Sequence, residues 1–490
     1  MEIKGLLGTI THLLGTRPVF VAGGCVRDWL LEKGSKDIDL VLPDGAVAIA
    51  KAFGEDTGGA FVLLDEAEDV ARVVVDTLSF DFSGFRKGAK TIEEDLAQRD
   101  FTMNAMAVPL SGVMAGVERT TQGLLVARPV VEQLLIDPYG GAKDLGNRMI
   151  RAVAIKNLHD DALRMLRAFR FMALLDFSIH EEVLDFVRAN AALIGTCASE
   201  RVNYELECIM ASPRAGKALS GLYNNRLLEA IIPEIKELEG VEQPGFHHLD
   251  VLGHCLEAVS CMDKLVQDPC MRFGNCEVMK AWLQDHRDKT AYLKWAALFH
   301  DFGKPSQKGL RKDGRVTFYN HDKKGAEMAA AIAKRLRWSK SSTIFVQRLV
   351  RMHMRPFHLL NDLRKGGPTK RAMRKLLEEI ESDYPALFLL SMADSMAGCG
   401  PMKPAGLDQE LSRLFDKIHG FYLKRLMPAR KSPPLLTGRD VMDLFSIGPG
   451  PLIGKALRAI EARRIEGIIR KRDEAISWLK KHFPDDLAEP

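Results

Sequence analysis

The first 110 residues switch between two hydrophobic periods. Val19-Phe20-Val21-Ala22 is a short apolar run ended by Gly23-Gly24, which predicts a strand and then a turn. A helical stretch is expected from there to Lys33, with Gly34 as its C-terminal cap. Asp37-Ile38-Asp39-Leu40-Val41-Leu42 alternates at period two, with Ile38, Leu40 and Leu42 on one strand face. Ala71 to Asp76 and Leu78 to Phe82 read as two more strands. From about Leu158 the apolar positions fall at helical spacing almost to the end. Breaks lie at Gly240 to Gly245, which contains Pro244, at Gly398 to Gly406, and at Ser432-Pro433-Pro434. The predicted class is α+β: a small mixed α/β head (1–145), an all-α neck (146–240), a second helical domain (245–400) and a helical tail (405–490).

A chain of 490 residues is too long for one core, and 46% apolar content argues against disorder. The formal charge is only +4, so nucleic-acid contact requires local clustering of basic groups. The eight cysteines form no CxxC pair, and reduced thiols in a cytosolic (cytoplasmic) protein are expected. No apolar run approaches membrane-spanning length, and the first residues lack the shape of a secretion signal. Secreted and membrane-bound readings are set aside.

Asp37 and Asp39 project from the same strand face, where a divalent cation would relieve their repulsion, and hard oxygen ligands suit magnesium. Upstream, Gly23 and Gly24 leave backbone N–H groups open to a phosphate, with Arg27 in the next helical turn. The order Gly23-Gly24-Cys25-Val26-Arg27-Asp28, then Asp37-Ile38-Asp39-Leu40, closely resembles the signature of class II nucleotidyltransferases. That family holds the CCA-adding tRNA nucleotidyltransferases and the bacterial poly(A) polymerases.

Further segments carry the resemblance through roughly residue 240. Asp95 to Ala105 is similar to the family motif that grips sugar and triphosphate, which implies nucleotide contacts for Arg99, Asp100 and Asn104. On a helix, Asp100 and Asn104 would share a face. Asp137 to Leu145 looks like the family's link from head to neck. A third catalytic carboxylate is expected at Asp81, with Asp76 as the alternative.

In the neck, Leu158 to Phe171 reads as one helix with Asp161, Arg164 and Arg167 at successive steps of three and Arg170 continuing the row. The resemblance implies base selection by Asp161 and Arg164, and triphosphate binding by Arg167 and Arg170. Family members that add CCA usually have Glu where this chain has Asp160, and a longer loop where Asp81 connects to Glu94.

Eight of the 13 histidines fall between His247 and His358. Leu293, Ala297, His300 and Asp301 fit one face of a helix, and His300-Asp301-Phe302-Gly303-Lys304 resembles the core of an HD-type phosphohydrolase. His254 and Asp394 match its outer metal ligands, and His321 and His353 are possible contributors; a transition metal is implied. From Arg355 to Lys375, seven basic residues against the single acid Asp362 suit an RNA backbone, as does the Gly-Pro-Gly turn at Gly448 to Gly450.

The expected activity is template-independent addition of C, A or both to tRNA 3′ ends, from CTP and ATP, with two magnesium ions. Poly(A) polymerase is the nearest alternative; no Gly-Arg-Arg-Phe-like stretch lies between Leu42 and Asp81. A metal-dependent phosphohydrolase with a nucleotide-binding head, or a non-catalytic RNA-binding protein, are the others. Oligomeric state is left open.

Overall fold

A computed structural model describes residues 3–114, 116–243 and 245–482. Pro244 of the first interdomain break and the last eight residues of the tail lie outside them. The chain divides into two compact units. One holds the residues up to Ile209 together with Gly221–Ile231; the other holds Met210–Ser220 and the residues from Ile232 on.

The first unit is built on a six-stranded mixed sheet. Its strands are β1 (Phe20–Ala22), β2 (Asp37–Leu42), β3 (Ala60–Asp65), β4 (Val70–Val75), β5 (Leu78–Gly84) and β6 (Ala107–Pro109). The spatial order is β3-β4-β5-β2-β1-β6. Only β2 and β5 run parallel, and their register sets Asp39 opposite Asp81 and Asp37 opposite Ser79. The helix Ala46–Thr57 explains which face stays open: its Phe53 packs on Phe80 and Phe82 at 5.3 and 5.6 Å between ring centroids. With those rings on the covered face, strand alternation sends Asp39 and Asp81 to the other.

Two expected boundaries move. The helix after Gly23 ends at Leu30, and the chain turns at Glu32 with φ 58°, before Gly34 is reached. The neck helix is two: Ile155–Asp160 and Leu163–Leu175, separated because Asp161 is extended at φ −139°, ψ 97°.

The second unit is helical. Trp295, Phe299, Phe302 and Phe388 are fully buried in its core. A separate cluster toward the C-terminus joins Leu436, Val441, Ile453, Ile460 and Leu479. There Thr437 and Asp440 cap the helix Gly438–Phe445 reciprocally, and Arg472 pairs with Asp440 at 2.6 Å. Cys270 and Cys276 form a disulfide, which corrects the expectation of reduced thiols throughout. Asp268 accepts from the Cys270 N–H, and the turn brings the two Cα atoms to 4.9 Å. The other six cysteines are free thiols. No described helix is long and apolar enough to cross a membrane.

Candidate active sites

A cleft of about 390 Å³ in the first unit is lined by seven arginines and three aspartates, among them Asp39, Asp100 and Asp161. That excess of positive charge fits a polyanion such as a triphosphate. Gly23, at φ 81°, forms part of the wall; a Cβ there would lie 2.6 Å from the Arg99 guanidinium and 2.9 Å from the Asp39 carboxylate. Only glycine fits that gap between a cation and an anion.

Asp39 is half-buried and Asp37 is exposed at the start of β2. Burial pushes the Asp39 carboxyl up, as do Asp81 and Asp37, while Arg99 and Arg86 oppose the shift. Asp37, Asp39 and Asp81 offer oxygen atoms only, the donor type that a hard cation prefers. Arg72 on β4 grips Asp81 with two hydrogen bonds of 2.6 and 2.7 Å. Asp76 instead sits in the β4–β5 turn, exposed, with Arg119 at 3.4 Å.

Arg27, Asp100 and Asn104 meet through the Asn104 side chain: Arg27 Nη1 donates to its oxygen at 2.8 Å, and its amide donates to Asp100 at 3.0 Å. Four-residue spacing predicts that Asp100 and Asn104 share a helix face. The helix Ile92–Ala97 ends earlier, and a single turn at Thr102–Asn104 closes the distance. Arg99 is buried between Asp95 and the Asn104 carbonyl, and burial lowers its pKa to about 10.

The neck side chains reach the same cleft by different partners from those the spacing suggested. Arg164 does not bond the Asp161 carboxylate; its guanidinium donates to the carbonyls of Gln98 and Asn157 at 2.8 and 3.2 Å. Asp161 is held by Arg201 at 3.0 Å, and Asp160 by Lys87 at 3.2 Å. Arg167 bridges Asp100 at 2.8 Å and Glu205 at 3.4 Å, and Arg170 joins Glu205 at 3.1 Å. Arg27, Arg167 and Arg170 also gather around the Phe171 ring, 4.8 to 5.6 Å from its centroid. Arg86, Phe171 and Arg201 line the cleft without having been anticipated. Phe171 gave no signal beyond its place next to Arg170, and Arg201 lies on a later helix whose approach no local pattern announces.

The second unit holds a buried histidine–aspartate cluster. His300 caps the helix Thr290–Phe299 and Asp301 lies beyond it, which corrects the expectation that both sit within the helix. Asp301 Oδ2 is 3.1 Å from His300 Nε2, and its Oδ1 is 3.3 Å from His321 Nε2. His254 Nε2 lies 3.2 Å from His300 Nε2 and 3.0 Å from Asp394 Oδ1, and His321 and His353 face each other at 3.2 Å. The Nδ1 atoms of His300, His321 and His353 donate to the carbonyls of Ala297, Phe318 and Val350 at 2.7 to 2.8 Å. Those carbonyls can only accept, so each Nδ1 carries a proton and Nε2 is the atom that faces the cluster. Burial and neighbouring His321 and His300 lower the His353 pKa to about 3, which keeps that ring neutral. Asp301 is shared by two groups of ligating atoms, His254–His300–Asp301 and Asp301–His321–His353, and Asp394 meets the first through His254. Gly303 admits the His321 carbonyl where a Cβ would lie 2.1 Å from it.

The basic stretch from Arg355 to Lys375 is partly neutralised: Arg364 pairs with Glu410 and Arg374 with Glu378 and Glu466.

Three family models match the chain in order: the Poly A polymerase head domain over residues 19–151, the probable RNA and SrmB-binding site of polymerase A over 176–239, and the HD domain over 252–395. The chain is 32% identical to an A-adding tRNA nucleotidyltransferase of Deinococcus radiodurans, over 94% of each chain. It is 30% identical to a CC-adding tRNA nucleotidyltransferase of Thermus thermophilus, over 94% of this chain and 93% of that one. A solved CCA-adding enzyme in an apo form shares the fold at TM-score 0.63 and 19% identity, covering 98% of this chain and 93% of that one. The Thermotoga maritima CCA-adding enzyme complexed with tRNA matches at TM-score 0.58 and 20% identity, covering 98% and 94%. The matches to the Deinococcus and Thermus enzymes span more than nine-tenths of each chain at 30% identity or above, and the chain belongs to the tRNA nucleotidyltransferase family.

Proposed function

We propose that this protein extends tRNA 3′ ends with C, A or both, from CTP and ATP, without a nucleic-acid template, in the cytoplasm. One observation carries the reading: the cleft that contains Asp39 is also lined by Asp161 and Arg164, with a surplus of arginines. Chemistry on the phosphate and selection of the base therefore have groups in one place. The named activities of the Deinococcus and Thermus relatives support it.

Asp37, Asp39 and Asp81 would hold magnesium. When bound, the ions would lower the pKa of the primer 3′-hydroxyl and neutralise the departing pyrophosphate. The 3′-oxygen forms a bond to the α-phosphorus, the bond to the β-phosphate oxygen breaks, and pyrophosphate leaves. Arg99, Arg167 and Arg170 face that charge, and Gly23 and Gly24 let the phosphates approach the backbone. Arg72 orients Asp81 beside Asp39. Asp161 accepts from the exocyclic amino group of cytosine or adenine, and Arg164 donates to the adjacent ring nitrogen. Uracil and guanine place an oxo acceptor against Asp161, so that hydrogen bond is lost and two acceptors oppose each other.

The test uses tRNA transcripts ending before the first C, after one C and after two, each with CTP, ATP or both. Extension of the first by CTP alone indicates CC addition. Extension of only the third by ATP indicates A addition, and all three together indicate CCA. Long adenylate tails on an unstructured RNA would make the protein a poly(A) polymerase.

A second activity is proposed for the histidine cluster, because imidazole and carboxylate donors converge there while burying every ring. His254, His300, Asp301 and Asp394 would hold zinc, nickel, manganese or iron, joined by His321 and His353 on the other side of Asp301. A metal bound there would activate water for hydrolysis of a phosphate ester.

A further inference from the structure

Register across the sheet of the first unit puts four side chains in one row. Asp39 on β2 lies opposite Asp81 on β5, Asp81 opposite Arg72 on β4, and Arg72 opposite Val62 on β3. At about 4.8 Å per strand, the row runs about 14 Å outward from Asp39. Its face is the one that the helix Ala46–Thr57 leaves open. A Cβ on Gly54 of that helix would lie 3.5 Å from the Phe61 Cβ, so Phe61 points to the helix and its neighbour Val62 to the other side. Val62, at the end of the row, is 46% exposed. Val70 and Val74 flank Arg72 on the same face of β4 and are half-buried.

Arg72 keeps donors beyond those on Asp81. Its Nε and Nη2 donate to the two carboxylate oxygens at 2.6 and 2.7 Å, which leaves three of the five guanidinium N–H groups, and the side chain is 39% exposed. The other side of the aspartates belongs to the cleft: Gly23 and Gly24 follow β1, and Arg99, Asp100 and Asn104 precede β6. In the sheet β1 flanks β2 on the side away from β5, and β6 lies beyond it. A triphosphate among the cleft arginines Arg99, Arg167 and Arg170 therefore lies on the β1 side. Displacement at phosphorus is in line, so the attacking oxygen enters opposite the departing pyrophosphate. That approach runs over β5, β4 and β3, where the row offers a cation and then an apolar shelf.

We propose that the open face of β4 and β3 seats the last nucleotide of the RNA primer, with the phosphate on its 5′ side bonded to Arg72 and its base against Val62. The inference rests on the transferase reading and gives a role in it to two residues that do not line the cleft. One guanidinium then holds both the Asp81 carboxylate and the backbone of the strand whose 3′-hydroxyl attacks, which fixes the distance between them. Val62 offers no hydrogen bond to a base edge, so the shelf accepts the primer end before the first addition and after it alike.

The test is photo-cross-linking of the full-length protein to a tRNA transcript whose last nucleotide is 4-thiouridine. The expected cross-link maps to residues 60–74 and falls roughly tenfold in Val62→Asp, which sets a negative charge on the exposed shelf. Steady-state rates give a second readout. In Val62→Asp the KM for tRNA should rise roughly tenfold while the KM for CTP keeps its wild-type value. In Arg72→Gln the dependence of log KM for tRNA on log salt should flatten by about 0.7, the loss of one phosphate contact on a single strand. A role confined to orienting Asp81 would lower kcat and leave that slope unchanged. Circular dichroism checks that both variants fold. The proposal is overturned by a cross-link confined to other segments, by no cross-link at all, or by an unchanged salt slope in Arg72→Gln. It is also overturned if Val62→Asp turns a wild-type dimer into a monomer at unchanged KM for tRNA, which would make β3 an edge between two copies of this chain. A mapped cross-link on a wild-type protein that adds no nucleotide would sink the transferase reading and leave the RNA seat intact.

Discussion

Arg201 Nη2 donates to Asp161 Oδ2 at 3.0 Å, so an arginine from a later helix, not Arg164, holds the carboxylate proposed to read the base. A carboxylate accepts along about four directions, so Arg201 fixes its orientation and still leaves acceptor positions for an amino group. The pair is partly exposed and worth roughly 0.2–1 kcal/mol. Arg201→Ala is therefore expected to reduce discrimination of CTP over UTP by about two- to fivefold. Ratios of kcat/KM for the two nucleotides on one tRNA transcript check this.

Arg164 and Arg167 should fail differently. Arg164 donates to backbone carbonyls at the cleft wall, so Arg164→Ala relaxes base choice more than it weakens triphosphate binding. Arg167→Ala leaves the buried Asp100 without its cation, while Glu205 keeps Arg170. It should weaken nucleotide binding with selectivity unchanged and cost about 3 kcal/mol of stability. Urea denaturation and nucleotide competition on both variants separate the effects. Equal loss of CTP and ATP use in both, with unchanged selectivity, would contradict the assignment.

The same ion pair gives a pH signature. Burial alone would raise the Asp100 carboxyl, but Arg167, Asn104 and the Phe101 N–H bring its pKa down to about 2. The folded value lies below the unfolded one, so the stabilisation is complete above about pH 4 and is lost as pH falls through about 2. The stability gap between the wild type and Asp100→Asn should narrow by about 2 kcal/mol between about pH 5 and about pH 2. Denaturation midpoints across that range supply the measurement.

The sheet and the cleft were legible to different depths. Strand alternation fixed which faces Asp39 and Asp81 occupy, because period two leaves no choice once Phe80 and Phe82 are buried. Edge strand β3 was missed: Phe61, Val62, Leu63 and Leu64 are all exposed, so no alternation marks it. The contact between Asp100 and Asn104 was expected for the wrong local reason, since four-residue spacing fits a helix and the chain here makes a tight turn. Arg201 and Glu205 were out of reach, because their partners in the cleft lie 35 to 40 residues away in sequence. Helical spacing also carries the helix one residue too far at His300 and two at Asp301, because it ends at Phe299.

The two proposed sites share no residue, which sets up a separation. His300→Ala should lower bound zinc or manganese, read by elemental analysis of the purified protein, and abolish release of phosphate from p-nitrophenyl phosphate. Addition of nucleotides to tRNA should continue at the wild-type rate. Loss of both activities at an unchanged melting temperature would contradict the division.

The most direct measurement is single-turnover incorporation of α-labelled CTP and ATP into a tRNA transcript by wild type, Asp37→Ala and Asp39→Ala. Removing one carboxylate relieves like-charge repulsion, so both variants should keep the wild-type melting temperature. The expected result is labelled tRNA with the wild-type protein and none above background with either variant. Retained incorporation by both variants would contradict the proposal that this pair of aspartates carries the transfer.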